Sequence, residues 1–200
     1  MHKAVHHASK PECARFILEA AKELLAQVGY GAMSMRRLAS HVGMLPGSLY
    51  HHVADKQELL FCVLLYLLDE RDAAWAKVPR CRNTLDELRN LISFLLTRQI
   101  SHPCESIILD YEARHLNDDL RCRFELQSNG SQTQLRRLIQ RGVEEGLLDN
   151  IETESASLAI ISLVKSAHLL LGIPGEWTPS KIENIFYQMI LRVLDIPSGH

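Results

Sequence analysis

Residues Ser34 to Val53 read SMRRLASHVGMLPGSLYHHV, and this run carries the strongest structural signal in the chain. Ser34 stands where a hydroxyl caps a short helix carrying Met35, Leu38, Ala39 and Val42, and Gly43 is suited to end it. Two or three residues later Pro46 opens another short helix, predicted over Pro46 to His52. Gly43 permits a sharp change of direction without a side-chain clash, while Leu38, Ala39, Val42 and Leu49 are placed to hold the two helices at a fixed crossing. Together they form a helix-turn-helix pattern. The exposed remainder of the second helix, Pro46, Gly47, Ser48, Tyr50, His51 and His52, is small at one end and polar or aromatic at the other. Small residues let backbone approach a groove wall, and hydroxyl or imidazole groups reach phosphates or base edges.

Helical signals continue in both directions. Upstream, Ser9 and Glu12 form a capping-box pattern ahead of Phe16, Ile17, Ala20, Ala21, Leu24, Leu25 and Val28, which predicts a helix from about Lys10 to Val28. Downstream, Asp55 and Glu58 open a long helix through Leu59, Leu60, Val63, Leu64, Leu67 and Leu68 towards Trp75. Thr84 with Glu87 predicts the next cap, ahead of Leu88, Leu91, Ile92, Leu95 and Leu96, and His102-Pro103 break that helix. Further helices are expected over about 105–115, 118–145 and 153–171, the last apolar nearly all round. Thr178 before Pro179 starts a final one, in which Ile182, Ile185, Phe186, Met189, Ile190, Val193 and Leu194 recur at helical spacing. No stretch alternates as a half-buried strand does. The expected fold is all-α, with about nine helices.

Composition narrows the function classes. Of 200 residues, 46% are hydrophobic and 23% charged, which is ordinary globular usage and excludes a disordered, collagen-like or coiled-coil chain. Five cysteines without a CxxC pair do not form a secreted disulfide framework. Residues 1–10 lack the apolar region of a signal peptide, and no uninterrupted apolar run reaches the roughly 18 residues of a membrane span. A cytoplasmic protein without a membrane partner is expected. Residues 1–56 hold seven Lys/Arg against four Asp/Glu and six of the ten histidines, whereas the remainder carries a net charge of -5. A basic head on an acidic body suits a polyanionic partner. No glycine-flanked serine elbow or glycine-rich phosphate cradle is present, so no catalytic residue is expected. His51-His52 with Cys62 does not read as a metal site, because adjacent helical histidines diverge by about 100 degrees, and no HxxxH or CxxC pair adjoins them. Neither a metal nor a cofactor is expected.

Three segments together carry a family likeness: Tyr30-Gly31-Ala32-Met33-Ser34-Met35-Arg36-Arg37-Leu38-Ala39, then Gly43-Met44-Leu45-Pro46-Gly47-Ser48-Leu49-Tyr50-His51-His52-Val53, then Asp55-Lys56-Gln57-Glu58-Leu59-Leu60. Over roughly residues 10–60 the chain resembles the DNA-binding region of the tetracycline-repressor (TetR) family. The resemblance implies a homodimeric repressor with N-terminal heads that read a palindromic double-stranded operator and a helical body that binds a small effector. Residues 1–54 would be the DNA-binding domain and 55–200 the ligand-binding and dimerisation domain. By the same resemblance Ser34, Arg36, Gly47, Ser48, Tyr50, His51 and Lys56 stand where family members touch DNA. Leu45 departs from the pattern, since the family commonly has a capping Ser or Thr there, and the missing hydroxyl is worth about 1 kcal/mol of local stabilisation. Val53, where an aromatic residue is usual, is a milder change. Lys56 occupies a first helical turn, where the macrodipole disfavours a cation unless a phosphate is near.

In the body, Trp75, Phe94, Tyr111, Glu112, His115 and His168 are the polar-aromatic candidates for ligand contact, and the apolar bias of these helices favours a hydrophobic or amphipathic effector. The dimer interface is expected on the last two helices, through Ala167, Phe186, Met189, Ile190 and Val193. The helix that begins after Asp55 is the expected lever between body and heads. A different class of protein also accommodates the sequence: a helical small-molecule-binding or catalytic protein that has lost DNA recognition, for which Leu45 is the hint.

Overall fold

The structure is a computed structural model that describes residues 13–149 and 151–196. Those residues form an all-helical protein. In chain order the helices are α1 (Arg15–Ala32), α2 (Met35–His41), α3 (Pro46–Leu49), α4 (Lys56–Ala76), α5 (Thr84–Ser101), α6 (Pro103–Tyr111), α7 (Asp118–Ser128), α8 (Gly130–Glu144), α9 (Thr153–Ser166) and α10 (Pro179–Val193). Two 3-10 segments, Glu112–His115 and Ala167–Gly172, extend α6 and α9.

Several helix starts are fixed by a side-chain cap. Ser34 Oγ accepts from Arg37 N at 3.2 Å and caps α2. Asp55 Oδ1 accepts from Gln57 N and Glu58 N at the head of α4, and Glu58 Oε2 reaches back to Ala54 N at 2.6 Å. Thr178 caps α10 ahead of Pro179. At α5 the cap is one residue earlier than the Thr84 expected: Asn83 Oδ1 accepts from Asp86 N at 2.8 Å. Thr84 is instead buried inside the first turn, where its hydroxyl accepts from Arg141 Nε at 2.9 Å.

Other boundaries moved for equally local reasons. α1 starts at Arg15 rather than Lys10, with the backbone of Ala14 extended, and the expected Ser9–Glu12 cap lies outside the described residues. Gly29 ends its regular part at φ 70, a left-handed conformation that glycine adopts without a Cβ penalty. α3 stops at Leu49, and Tyr50 to His52 form turns held by bonds such as His52 N to Leu49 O at 3.0 Å. The helix expected over 118–145 is divided between α7 and α8 at Asn129-Gly130, two poor helix formers, with Asn129 at ψ 5. α9 passes into the 3-10 segment after Ser166.

α4 is the central element. Leu59 to Leu65, Leu67 and Leu68 are all buried, so from Leu59 to Leu65 the helix is apolar on every face. Around it one core joins Ile17, Leu24, Leu38, Leu49 and Val53 of the head to Ile108, Leu116 and Phe124. A second core lies among α5, α8, α9 and α10, with Leu91, Ile92, Ile139, Ile160, Ile190 and Leu194 fully enclosed. By length and composition Thr153–Gly172 is apolar enough to cross a membrane. It packs instead on α5, α8 and α10, and presents Leu158, Leu169 and Leu171 outward.

Candidate nucleic-acid interface and body cavity

The head is built as the spacing implies. Met35, Leu38 and Ala39 of α2 and Leu49 of α3 are buried, and Gly43 turns the chain between them at φ 70. Ser34, Arg36, Arg37, Leu45, Pro46, Gly47, Tyr50, His51 and His52 all face solvent, and Ser48 is half-buried. The turn and α3 therefore present a mixed hydroxyl, cationic and imidazole surface with no side chain between Pro46 and Ser48 to hold a duplex off. Leu45 is the N-cap of α3 and makes no side-chain capping bond; it is 76% exposed. Lys56, expected at DNA, has a partner within the protein. It is half-buried, with Nζ 4.1 Å from the centre of the Tyr30 ring, so a cation–π contact holds the charge against the helix dipole.

Behind this surface a polar cluster joins head to body. Gln57 Nε2 donates to Tyr30 Oη at 2.7 Å and to the His115 carbonyl at 2.8 Å, while its Oε1 accepts from Asn117 N at 2.8 Å. Tyr30 N donates to Glu112 Oε2 at 3.3 Å, and the Tyr30 and His115 rings stack with centres 5.2 Å apart. Glu112 is buried and sits beside the Gly29 kink, where a Cβ would meet its Oε1 at 3.5 Å. Glu112 and His115, expected at a ligand, thus serve the junction between α1, α4 and the 3-10 segment after α6. Nothing in the sequence marked Gln57, an amide in a capping turn.

The body encloses a cavity of about 170 Å³ whose walls come from α4 to α9. Leu67, Leu95, Leu109 and Phe124 give it apolar surface. Arg71, Arg98, Lys165, Glu105 and Asp110 add charged groups to its wall. The break between α7 and α8 supplies Ser128, Asn129, Ser131 and Gln132, so the poor helix formers at that point also shape the wall. None of the six expected ligand residues lines this cavity. Trp75 and Phe94, with ring centres 5.1 Å apart, line an adjoining space of about 270 Å³ that shares Arg71 and Ser131 with it. His168 is buried behind the wall and its Nδ1 lies 3.1 Å from Nε2 of Gln99, a lining residue. Tyr111 is 42% exposed on the outside. The sequence did carry a signal for Arg71: it continues the buried stripe Leu64, Leu67, Leu68 at i+7.

The cavity touches the head through α6. Glu105, on its wall, lies 2.7 Å from Arg98 of α5 and 3.9 Å from Lys22 of α1. Among the expected interface residues, Ala167, Phe186 and Ile190 are buried in the protomer's own core, where α10 and the 3-10 segment after α9 both pack on α5. Met189 and Val193 face outward, as do Leu158, Leu169, Leu171 and Ile173. Among the described residues no group of three His, Cys, Asp or Glu is placed to hold a metal ion.

Comparison with known proteins agrees with this architecture. Residues 17–63 match the bacterial regulatory proteins of the tetR family, and residues 82–194 match the tetracyclin repressor-like C-terminal domain. The HTH-type transcriptional repressor KstR2 of Mycobacterium tuberculosis is 30% identical over 132 residues, 65% of this chain and 66% of that one. The match thus spans just under two thirds of that relative's length. A tetR-family regulatory protein from Rhodococcus RHA1 superposes with a TM-score of 0.81 at 24% identity, over 91% of this chain and 96% of the other. AibR, in complex with isovaleryl coenzyme A and operator DNA, superposes with a TM-score of 0.79 at 22% identity, over 92% of this chain and 98% of that one. With both its head and its body matched, the chain belongs to the TetR family of bacterial regulatory proteins.

Proposed function

We propose that the protein is a ligand-responsive transcriptional repressor that binds a palindromic operator as a homodimer and leaves it when a small amphipathic effector enters the body cavity. The observation that carries this reading is one continuous path of contacts. The helix-turn-helix surface is backed by Tyr30 and Gln57, these meet Glu112, His115 and Asn117, and α6 immediately before them forms part of the cavity wall. The AibR complex shows the same fold with a ligand and an operator together. That pairing is what carries over, not the identity of the ligand.

In this reading residues 1–54 hold the DNA-contacting groups and 55–200 the effector and dimer surfaces, in a cytoplasmic regulator that is not an enzyme. Arg36, Gly47, Ser48, Tyr50 and His51 meet DNA, with Ser34 at the helix start where a phosphate adds to its capping role. Leu45 supplies an apolar contact, suited to a thymine methyl in the major groove. The outward apolar residues of α9, the 3-10 segment and α10 pair with those of a second copy. Two heads then occupy half-sites about 34 Å apart.

The test is binding of the purified dimer to DNA from its own upstream region across a salt series. Counterion release makes the affinity of a true operator complex fall steeply as salt rises. A folded dimer that shifts no fragment at low salt refutes the reading and leaves a helical ligand-binding protein.

A further inference from the structure

The charges in the body cavity do not balance. Arg98 Nη2 pairs with Glu105 Oε2 at 2.7 Å, and Lys165 Nζ with Asp110 Oδ1 at 2.9 Å. Arg71 is left over. Its Nε reaches only the neighbouring Asp72 at 3.4 Å, an acid that is itself mostly in solvent, and its Nη2 is enclosed without a hydrogen-bond partner among the described residues. Burial pushes the guanidinium pKa down from its ordinary value, yet arginine stays protonated in proteins. A cation is therefore held out of water with part of its fork unused, an arrangement that costs stability unless something completes it. The unused nitrogen belongs to a residue shared by this cavity and the aromatic space beside Trp75 and Phe94.

We propose that the cavity takes an amphipathic oxyanion, a carboxylate or phosphate on an apolar chain, and that Arg71 anchors its acid group. A planar guanidinium offers two parallel N–H groups to such an acid, while Leu67, Leu95 and Phe124 receive the chain. A neutral amphiphile of the same length leaves Arg71 as it is now. The regulatory meaning of this site rests on the repressor reading above; the binding itself does not.

Octanoate, octyl phosphate and octanol test it by calorimetry on the full chain. One of the two acids should bind at least about tenfold more tightly than octanol, the scale of one charge-assisted contact, and the stronger acid identifies the headgroup. Arg71→Gln should remove that preference and keep octanol binding, whereas Arg71→Lys should retain part of it; thermal unfolding confirms that both are folded. Equal affinity for acids and alcohol, binding of none of them, or a preference unchanged in Arg71→Gln overturns the proposal. Operator titrations separate the two readings. Arg71-dependent acid binding that leaves operator affinity unchanged refutes only the effector role, and operator release by octanol and octanoate alike refutes only the anchor.

A second, independent observation concerns Cys13 and Cys62. Their Sγ atoms are 3.1 Å apart although 49 residues separate them, one just before α1 and the other inside α4. A disulfide needs about 2.05 Å, so closure requires only about 1 Å of movement. The contact between the two sulfurs lowers the pKa of the Cys13 thiol, while the same contact and burial raise that of Cys62. Cys13 is half-exposed and Cys62 buried, which suits them to attacking and resolving roles.

We infer that the pair is a peroxide-oxidisable dithiol that staples the start of α1 to α4. The Cys13 thiolate attacks one peroxide oxygen: an S–O bond forms, the O–O bond breaks, and the departing oxygen takes a proton to become water. Cys62 sulfur then attacks the sulfenic sulfur of Cys13, forming the S–S bond and expelling a second water. The two thiols are oxidised by two electrons and the peroxide is reduced by two. After native protein is treated with hydrogen peroxide, peptide mass mapping should find Cys13 joined to Cys62, and Cys62→Ser should leave a dimedone-reactive sulfenic acid on Cys13. Full alkylation of both residues as free thiols after peroxide, with oxidation confined to the exposed Cys104 and Cys122, overturns the inference.

Discussion

The backbone N–H of Tyr30 donates to Oε2 of the buried Glu112 at 3.3 Å, across 82 residues of sequence. This bond ties the kinked end of α1 to the 3-10 segment that follows α6, beside the lever expected in α4. A displacement of α6 at the cavity wall thus has a polar route to the head that does not pass through α4. Removing Glu112 by Glu112→Ala leaves the Tyr30 amide without this partner and should cost about 1–3 kcal/mol. The same variant should bind operator while responding less to effector, measured by thermal unfolding and by operator release. Full effector response in a folded Glu112→Ala would remove α6 from the path.

On the DNA face, Tyr50→Ala and Arg36→Ala should weaken binding to all sequences, and Arg36→Ala should reduce the salt slope by about 1. Lys56→Ala should act differently. Its charge is engaged over the Tyr30 ring, so the change should lower stability by roughly 0.5–2 kcal/mol and alter the salt slope by less than Arg36→Ala does. A slope change for Lys56→Ala equal to that of Arg36→Ala would place its ammonium at a phosphate instead.

Leu45→Ser should supply the missing cap of α3 and raise stability by about 1 kcal/mol. If the leucine reads a thymine methyl, the same change should weaken binding to the natural operator more than to one with uracil at the contacted base. A loss of affinity equal on both DNAs would exclude the methyl contact.

Assembly should separate outward from inward residues. Met189→Asp or Val193→Asp should give folded monomers in sedimentation, because both side chains are about 40% exposed on α10. Ile190→Asp should unfold the protein by more than about 4 kcal/mol, since it buries a charge in the body core. Intact dimers for both outward variants would move the interface off this helix.

Tyr66 gives a pH signature. Its desolvation and the hydrogen bond it donates to Glu19 push its pKa up to about 12 from an ordinary 10. Because the folded state holds the proton more tightly, this contribution is complete below pH 10 and is lost as the pH rises through 12. Tyr66→Phe should flatten the decline in melting temperature over that window. A decline unchanged by the substitution would assign it to other groups.

Features set by a few adjacent residues were legible before any coordinates. The helix-turn-helix, the caps at Ser34, Asp55 and Thr178, and the all-α order follow from hydrogen bonds and apolar spacings that close within one or two turns. Where two neighbours can each fill such a role, spacing does not separate them, and Asn83 rather than Thr84 caps α5. Lys56 shows the next limit: its place on a first helical turn is explained by the ring of Tyr30, 26 residues away. The cavity lies beyond local signals altogether. Arg71, Arg98, Glu105, Asp110 and Lys165 come from four helices, and only their packing reveals that Arg98 and Lys165 pair with the cavity's acids while Arg71 pairs only with its chain neighbour Asp72. Likewise α10 is apolar on both the face that builds the protomer and the face left outside, so periodicity alone could not tell Ile190 from Val193. Secondary structure and the head were written in short-range chemistry, while the cavity, the junction at Glu112 and the outward face were decided by which distant segments share a core.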